Sequence, residues 1–122
     1  MRTILITGAS GGLAQEMVKL LPNDQLILLG RNKEKLAQLY GNNPNVEWIE
    51  IDITDDSALE ALVADLYLRY GKIDVLINNA GYGIFEDFDQ ISDQDIHQMF
   101  EVNTFALMNL SRRLAARMKE NR

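Results

Sequence analysis

The chain has 122 residues, 47% hydrophobic and 25% charged, the balance of one globular unit or of one part of a larger one. With no cysteine and a single histidine, His97, it excludes disulfides, thiolate nucleophiles, cysteine-held zinc and multi-histidine metal centres. The net charge of −6, from 12 basic and 18 acidic residues, argues against a nucleic-acid partner, and no apolar run reaches the ~18 residues of a membrane span.

From Met1 the chain runs almost at once into Thr3-Ile4-Leu5-Ile6, with no charged leader or apolar signal core, so a cytoplasmic location is the expectation. That segment reads as a strand buried on both faces. Leu13, Met17, Leu20 and Leu21 then recur at helical spacing until Pro22-Asn23-Asp24 breaks the pattern. Leu26-Ile27-Leu28-Leu29 is a second apolar strand. Asn32 is a candidate N-cap for a helix with Leu36, Leu39 and Tyr40 on one face, closed at Gly41. Gly41-Asn42-Asn43-Pro44 is a turn, and 46–51 reads as a third strand interrupted by Glu47 and Glu50, which would protect an edge.

Thr54 or Asp55 can cap the next helix, striped by Leu59, Leu62, Val63, Leu66 and Tyr70 and ended by Gly71-Lys72. Val75-Leu76-Ile77 is the fourth strand. The loop 82–91 is a candidate pocket rim, and Ser92 with Asp95 resembles a capping box. The rest is helical to about Lys119, with Ile96, Phe100, Leu107, Leu110 and Leu114 on one stripe. Asn103 falls on that stripe, where a buried amide without partners costs about 1–3 kcal/mol, so it needs fixed hydrogen bonds. His97 reads as an exposed helix residue, and Trp48 as packing between helix and sheet. Strict β-α alternation implies an α/β unit over residues 1–122, a doubly wound parallel sheet of strand order 3-2-1-4 with helices on both faces.

The glycines at 8, 11 and 12 sit where the first strand feeds the first helix. Free N–H groups and the helix dipole make that point an anion site, and a diphosphate approaches it closely only where no Cβ intervenes. A tight turn with no ligand remains the alternative. A P-loop is excluded, since no Gly-Lys-Ser/Thr follows. At the end of the second strand, Gly30-Arg31-Asn32 lacks the carboxylate that meets a ribose 2′-hydroxyl. Arg31 instead suits a 2′-phosphate, which favours NADP(H) over NAD(H).

Thr7-Gly8-Ala9-Ser10-Gly11-Gly12-Leu13-Ala14 resembles the Thr-Gly-x-x-x-Gly-x-Gly fingerprint of the short-chain dehydrogenases/reductases. Asn78-Asn79-Ala80-Gly81 matches that family's Asn-Asn-Ala-Gly motif, and Asp52-Ile53 and Val102-Asn103 fall in the family's order across nearly the whole chain. The resemblance implies a Rossmann-like fold and nicotinamide-dependent oxidoreduction of a small carbonyl or alcohol. It implies that Gly8, Ser10, Gly11, Gly12 and Leu13 line the diphosphate and ribose. Arg31 and Asn32 would hold the 2′-phosphate end, and Asp52 and Ile53 would flank the adenine. Asn79, Ala80 and Gly81 would pass beside the nicotinamide ribose. Asn103 corresponds to the family's helix asparagine, which supports a proton-relay water. One residue departs from the fingerprint: Ala14 stands for its last glycine, at a position that serves helix-to-strand packing.

That family's chemistry uses a tyrosine with a lysine four positions later, the ammonium lowering the phenol's pKa. Here Tyr40, Tyr67, Tyr70 and Tyr82 are followed at that spacing by Pro44, Gly71, Asp74 and Glu86. Strand four carries no edge protection. Both features lead to the expectation of a cofactor-binding portion, ending before a fifth strand and inactive alone. The alternatives are a dinucleotide-binding sensor or regulatory module without catalysis, or a structural α/β domain with a vestigial turn. Family members often pair through their long helices, so a homo-oligomer is expected, with Phe105 and Met108 as candidates for the contact face.

Overall fold

The computed structural model describes residues 1–80 and 90–120. Four strands, β1 (Thr3–Ile6), β2 (Gln25–Gly30), β3 (Val46–Glu50) and β4 (Val75–Ile77), form one parallel sheet of order β3-β2-β1-β4. The helices are α1 (Gly12–Lys19), α2 (Lys33–Tyr40), α3 (Asp56–Tyr70), α4 (Asp93–Phe100) and α5 (Ala106–Glu120), with a π-helical turn, Glu101–Phe105, joining the last two. This is the Rossmann-like arrangement the alternation implies.

Alternate strand residues face opposite layers. Ile4, Ile6, Leu26 and Leu28 pack under α1 and α2 with Ala14, Val18, Leu36 and Tyr40. Leu5, Ile27 and Leu29 pack under α3 and α5 with Leu59, Val63, Leu66, Leu110 and Leu114. A strand buried on both faces needs apolar residues at every position, which is why β1 and β2 read as unbroken aliphatic runs. The expected caps form. The Asn32 and Asp55 side chains accept from the N–H groups of Lys35 and Ala58, and the Ser92 hydroxyl accepts from Asp95. Gly71 ends α3 with φ +80, whereas Gly41 stays helical and earns its place because a Cβ there would stand 2.5 Å from the Ala37 carbonyl oxygen.

Two apolar faces differ from expectation. On α1 the buried residues are Ala14 and Val18, while Leu13 and Leu20 are exposed. The helix lies so close to the sheet that the small Ala14 fills the contact, and the methyl that replaces the fingerprint's glycine sits in the core. On the last helical stretch the buried set is Val102, Ala106, Leu110 and Leu114, and Phe100 is exposed. The π turn inserts one extra residue, which rotates the following helix by about 100° and breaks the stripe expected from 96 through 107. Asn103 therefore stands on an exposed side of the π turn, not on the buried stripe.

Candidate functional site

The C-terminal ends of β1, β2, β3 and β4 open onto a cleft of about 190 Å³. It is lined by Gly8, Ser10, Leu29, Gly30, Arg31, Ile51, Asp52, Ile53, Ala80 and Val102. This is the crevice where open parallel sheets take their ligands. Six of the residues picked from the sequence line it: Gly8, Ser10, Arg31, Asp52, Ile53 and Ala80.

The turn after β1 is built by reciprocal bonds. Gly8 has φ +66, and a Cβ on it would lie 2.9 Å from the backbone of Asn79 and Ala80, so glycine is required here by the protein's own packing. The buried Thr7 hydroxyl accepts the N–H groups of Asn79 at 3.0 Å and Ala80 at 2.9 Å. The Asn79 side-chain amide donates to the Gly8 carbonyl at 3.2 Å, and Asn78 Nδ2 donates to Ser111 Oγ of α5 at 3.0 Å. Asn79 thus couples the loop after β4 to the turn after β1. Gly81 lies outside the described residues, as do 82–89 of the candidate rim.

Ala9 is fully buried. Its N–H donates to the Leu29 carbonyl at 3.0 Å, and its carbonyl accepts the Tyr40 hydroxyl at 2.6 Å. Beyond it the requirement for glycine changes character. A Cβ on Gly12 would meet nothing within 4 Å, and one on Gly11 would meet the Gly8 carbonyl oxygen at an ordinary 3.5 Å. Among the described residues, neither glycine is demanded by internal contacts or by a positive φ. Both leave open backbone at the head of α1, where the N–H groups of Gly12, Leu13 and Ala14 have no intrahelical carbonyl to reach. A diphosphate fits such a cradle: Gly12 has no side chain to cover it, and Leu13 is 66% exposed.

At the far side of the cleft, Arg31 and Asn32 are exposed at the β2–α2 junction. The Asn32 side-chain Oδ1 accepts the Lys35 N–H at 3.1 Å and caps α2, so its NH₂ group is what remains for a ligand. The Glu50 carboxylate accepts the Lys33 N–H at 3.2 Å beside it. Asp52 Oδ1 accepts the Thr54 hydroxyl at 2.7 Å and the Thr54 N–H at 3.0 Å. Those bonds, with Arg31 adding attraction, hold the Asp52 carboxyl below the usual carboxylate range. An ionised, fixed carboxylate beside Ile53 suits the amino edge of an adenine.

Sequence reasoning missed Leu29, Gly30, Ile51 and the contribution of Val102 to the cleft wall. Gly30 and Ile51 carried a signal, each ending or following a strand at the sheet's C-terminal edge. Asn103 follows Val102 in the π turn, an element that recurs at functional sites. No cluster of histidine, aspartate and glutamate suited to a metal occurs among the described residues.

The fold and this cleft define a Rossmann-type α/β domain with a glycine-rich strand-to-helix turn. The sequence profile of the family described as short chain dehydrogenase matches residues 2–122, and the chain belongs to that family. It is 35% identical over 125 residues to the ketoacyl reductase HetN of Nostoc sp., covering 98% of this chain and 44% of that protein. It is 32% identical over 103 residues to VdlC of Helicobacter pylori, a probable short-chain type dehydrogenase/reductase, covering 84% of this chain and 38% of the other. The crystal structure of a short-chain dehydrogenase from Streptomyces avermitilis superposes with a TM-score of 0.85 at 30% identity, over 99% of this chain and 46% of that one. The chain therefore spans under half the length of these relatives.

Proposed function

We propose that this chain is the dinucleotide-binding portion of an NADP(H)-dependent oxidoreductase acting on a small carbonyl or alcohol. The observation that carries the reading is the pair Gly11-Gly12, bare at the head of α1 although no contact or dihedral among the described residues asks for glycine there. When bound, the nicotinamide would supply hydride chemistry. The chain's own residues bind and orient. The open amides of Gly12 and Leu13 receive the diphosphate with Ser10 at its side. Asp52 and Ile53 flank the adenine, and Asn79, Ala80 and Gly81 bound the nicotinamide ribose.

Arg31 supports NADP(H) over NAD(H). It is an exposed guanidinium at the end of β2 with no ion-pair partner among the described residues, and its fork matches a phosphate. Asn103, beside the cleft wall, would hold a relay water for a proton donor supplied by the whole protein. The tyrosine–lysine pair of the family's chemistry does not occur in these 122 residues, so hydride transfer is assigned to the whole protein. Phe105 and Met108, both more than half exposed, fit self-association in a setting such as the cytoplasm.

Calorimetric titration with NADPH and NADH tests the reading. Arg31→Ala is expected to weaken NADPH by about tenfold, the worth of one charge-assisted hydrogen-bonded contact, and to leave NADH unchanged. Equal losses for both cofactors, or tighter NADH binding by the parent, would reverse the NADP assignment.

A further inference from the structure

We infer that Tyr40 is a positioning residue for the diphosphate turn, acting through its hydroxyl on the Ala9 carbonyl. The inference rests on the diphosphate reading above and deepens it. Tyr40 closes α2, 31 residues along the chain from Ala9, and is 3% exposed. Its hydroxyl reaches past the ends of β1 and β2 and donates to the carbonyl of a residue with no exposed surface. The N–H of the same residue is held by Leu29. Both polar groups of Ala9 are thereby paired inside the protein, which fixes the orientation of the one peptide unit on each side of it.

This anchor lies between two glycines with different jobs. Gly8 is packed against the backbone of Asn79 and Ala80, whereas a Cβ on Gly11 or Gly12 would meet no close neighbour among the described residues, and the Gln15 side chain donates a long 3.4 Å bond to the Gly11 carbonyl. A run of residues lacking Cβ atoms is the most flexible backbone available, and an anion seat needs its amides held in one orientation. The bond from Tyr40 supplies that restraint from the buried side, leaving the outer side clear. Burial also pushes the Tyr40 phenol above the ordinary tyrosine value, so its O–H stays a donor throughout the neutral range. The arrangement makes α2 bifunctional. Its N-terminus presents Asn32 and the neighbouring Arg31 to one end of the ligand, and its C-terminus steadies the seat for the middle.

Tyr40→Phe removes the hydroxyl and keeps the ring. Two probes separate the parts of the site: ADP carries a diphosphate and no 2′-phosphate, and adenosine 2′-monophosphate carries the reverse. The variant is expected to bind ADP about threefold to tenfold more weakly, the range for one lost hydrogen bond, with adenosine 2′-monophosphate unchanged. Equal loss for both probes marks a general loosening of the fold and overturns the inference, as does undiminished ADP binding. A parent protein that fails to bind ADP removes the diphosphate seat itself and the inference with it. A measurement without substitution guards against a variant that does not fold. The ¹³Cζ resonance of Tyr40 in the parent should move on addition of ADP and stay in place with adenosine 2′-monophosphate. A Tyr40 resonance indifferent to ADP overturns the inference.

Discussion

Gly8 and Gly12 look alike in the sequence and play opposite parts. At Gly8, alanine would be strained twice, by φ +66 and by backbone atoms at 2.9 Å, so Gly8→Ala should cost about 1–3 kcal/mol or more in urea unfolding. At Gly12 an added methyl meets open space in the first turn of a helix. Gly12→Ala should leave stability unchanged or raise it by up to about 1 kcal/mol, while weakening dinucleotide binding by about tenfold as the methyl holds the diphosphate off the amides. Loss of stability in Gly12→Ala, or retained affinity, would contradict this division. The sequence showed that glycines cluster there. It could not show which of them the fold itself requires, because that depends on how near Asn79 and Ala80 come from about 70 residues away. The Tyr40–Ala9 bond, across 31 residues, was hidden as well, since a tyrosine on an apolar helix face reads as core.

At the scale of elements, the parallel strands were legible because burial on both faces leaves a continuous aliphatic run. The faces of α1 and α5 were not. On α1, the leucines outweigh an alanine in any apolar pattern, yet close packing selects the alanine. On α5, a π turn has no compositional mark that resets the helical phase. The Glu50 carboxylate sits on the Lys33 N–H at the head of α2, next to Arg31, and would face a 2′-phosphate with like charge. Glu50→Gln should therefore strengthen NADPH binding by about threefold and leave NADH alone; an equal gain for both would contradict it.

On the edge strand β3, Arg69 of α3 donates to both carboxylate oxygens of Glu47 at 2.8 and 2.7 Å, and Tyr70 adds a hydroxyl. The Arg69 bonds foremost hold the Glu47 carboxyl below its ordinary range. A carboxyl lowered by folding stabilises the fold fully above its unfolded value of about 4, and that stabilisation is lost as the pH falls through the lowered folded value. Urea midpoints should be flat from neutrality down to roughly pH 5 and fall below it, and Arg69→Met should shrink the fall. An unchanged acid profile in Arg69→Met would count against the clamp.

At the scale of the whole molecule, the parallel pairing of all four strands puts every strand's C-terminal end on one rim, and two helical layers leave that rim open. Fold and family follow from patterning and motifs spread over nearly all of the chain. The relatives HetN and VdlC are each more than twice this length. The central claim is that the bare backbone at the head of α1 receives a diphosphate. A crystal structure of the protein grown with NADPH tests it most directly. Phosphate oxygens are expected within hydrogen-bond distance of the Gly12 and Leu13 N–H groups, with the adenine between Asp52 and Ile53. Electron density for the ligand away from that turn, with the Gly12 and Leu13 amides facing solvent, would contradict it.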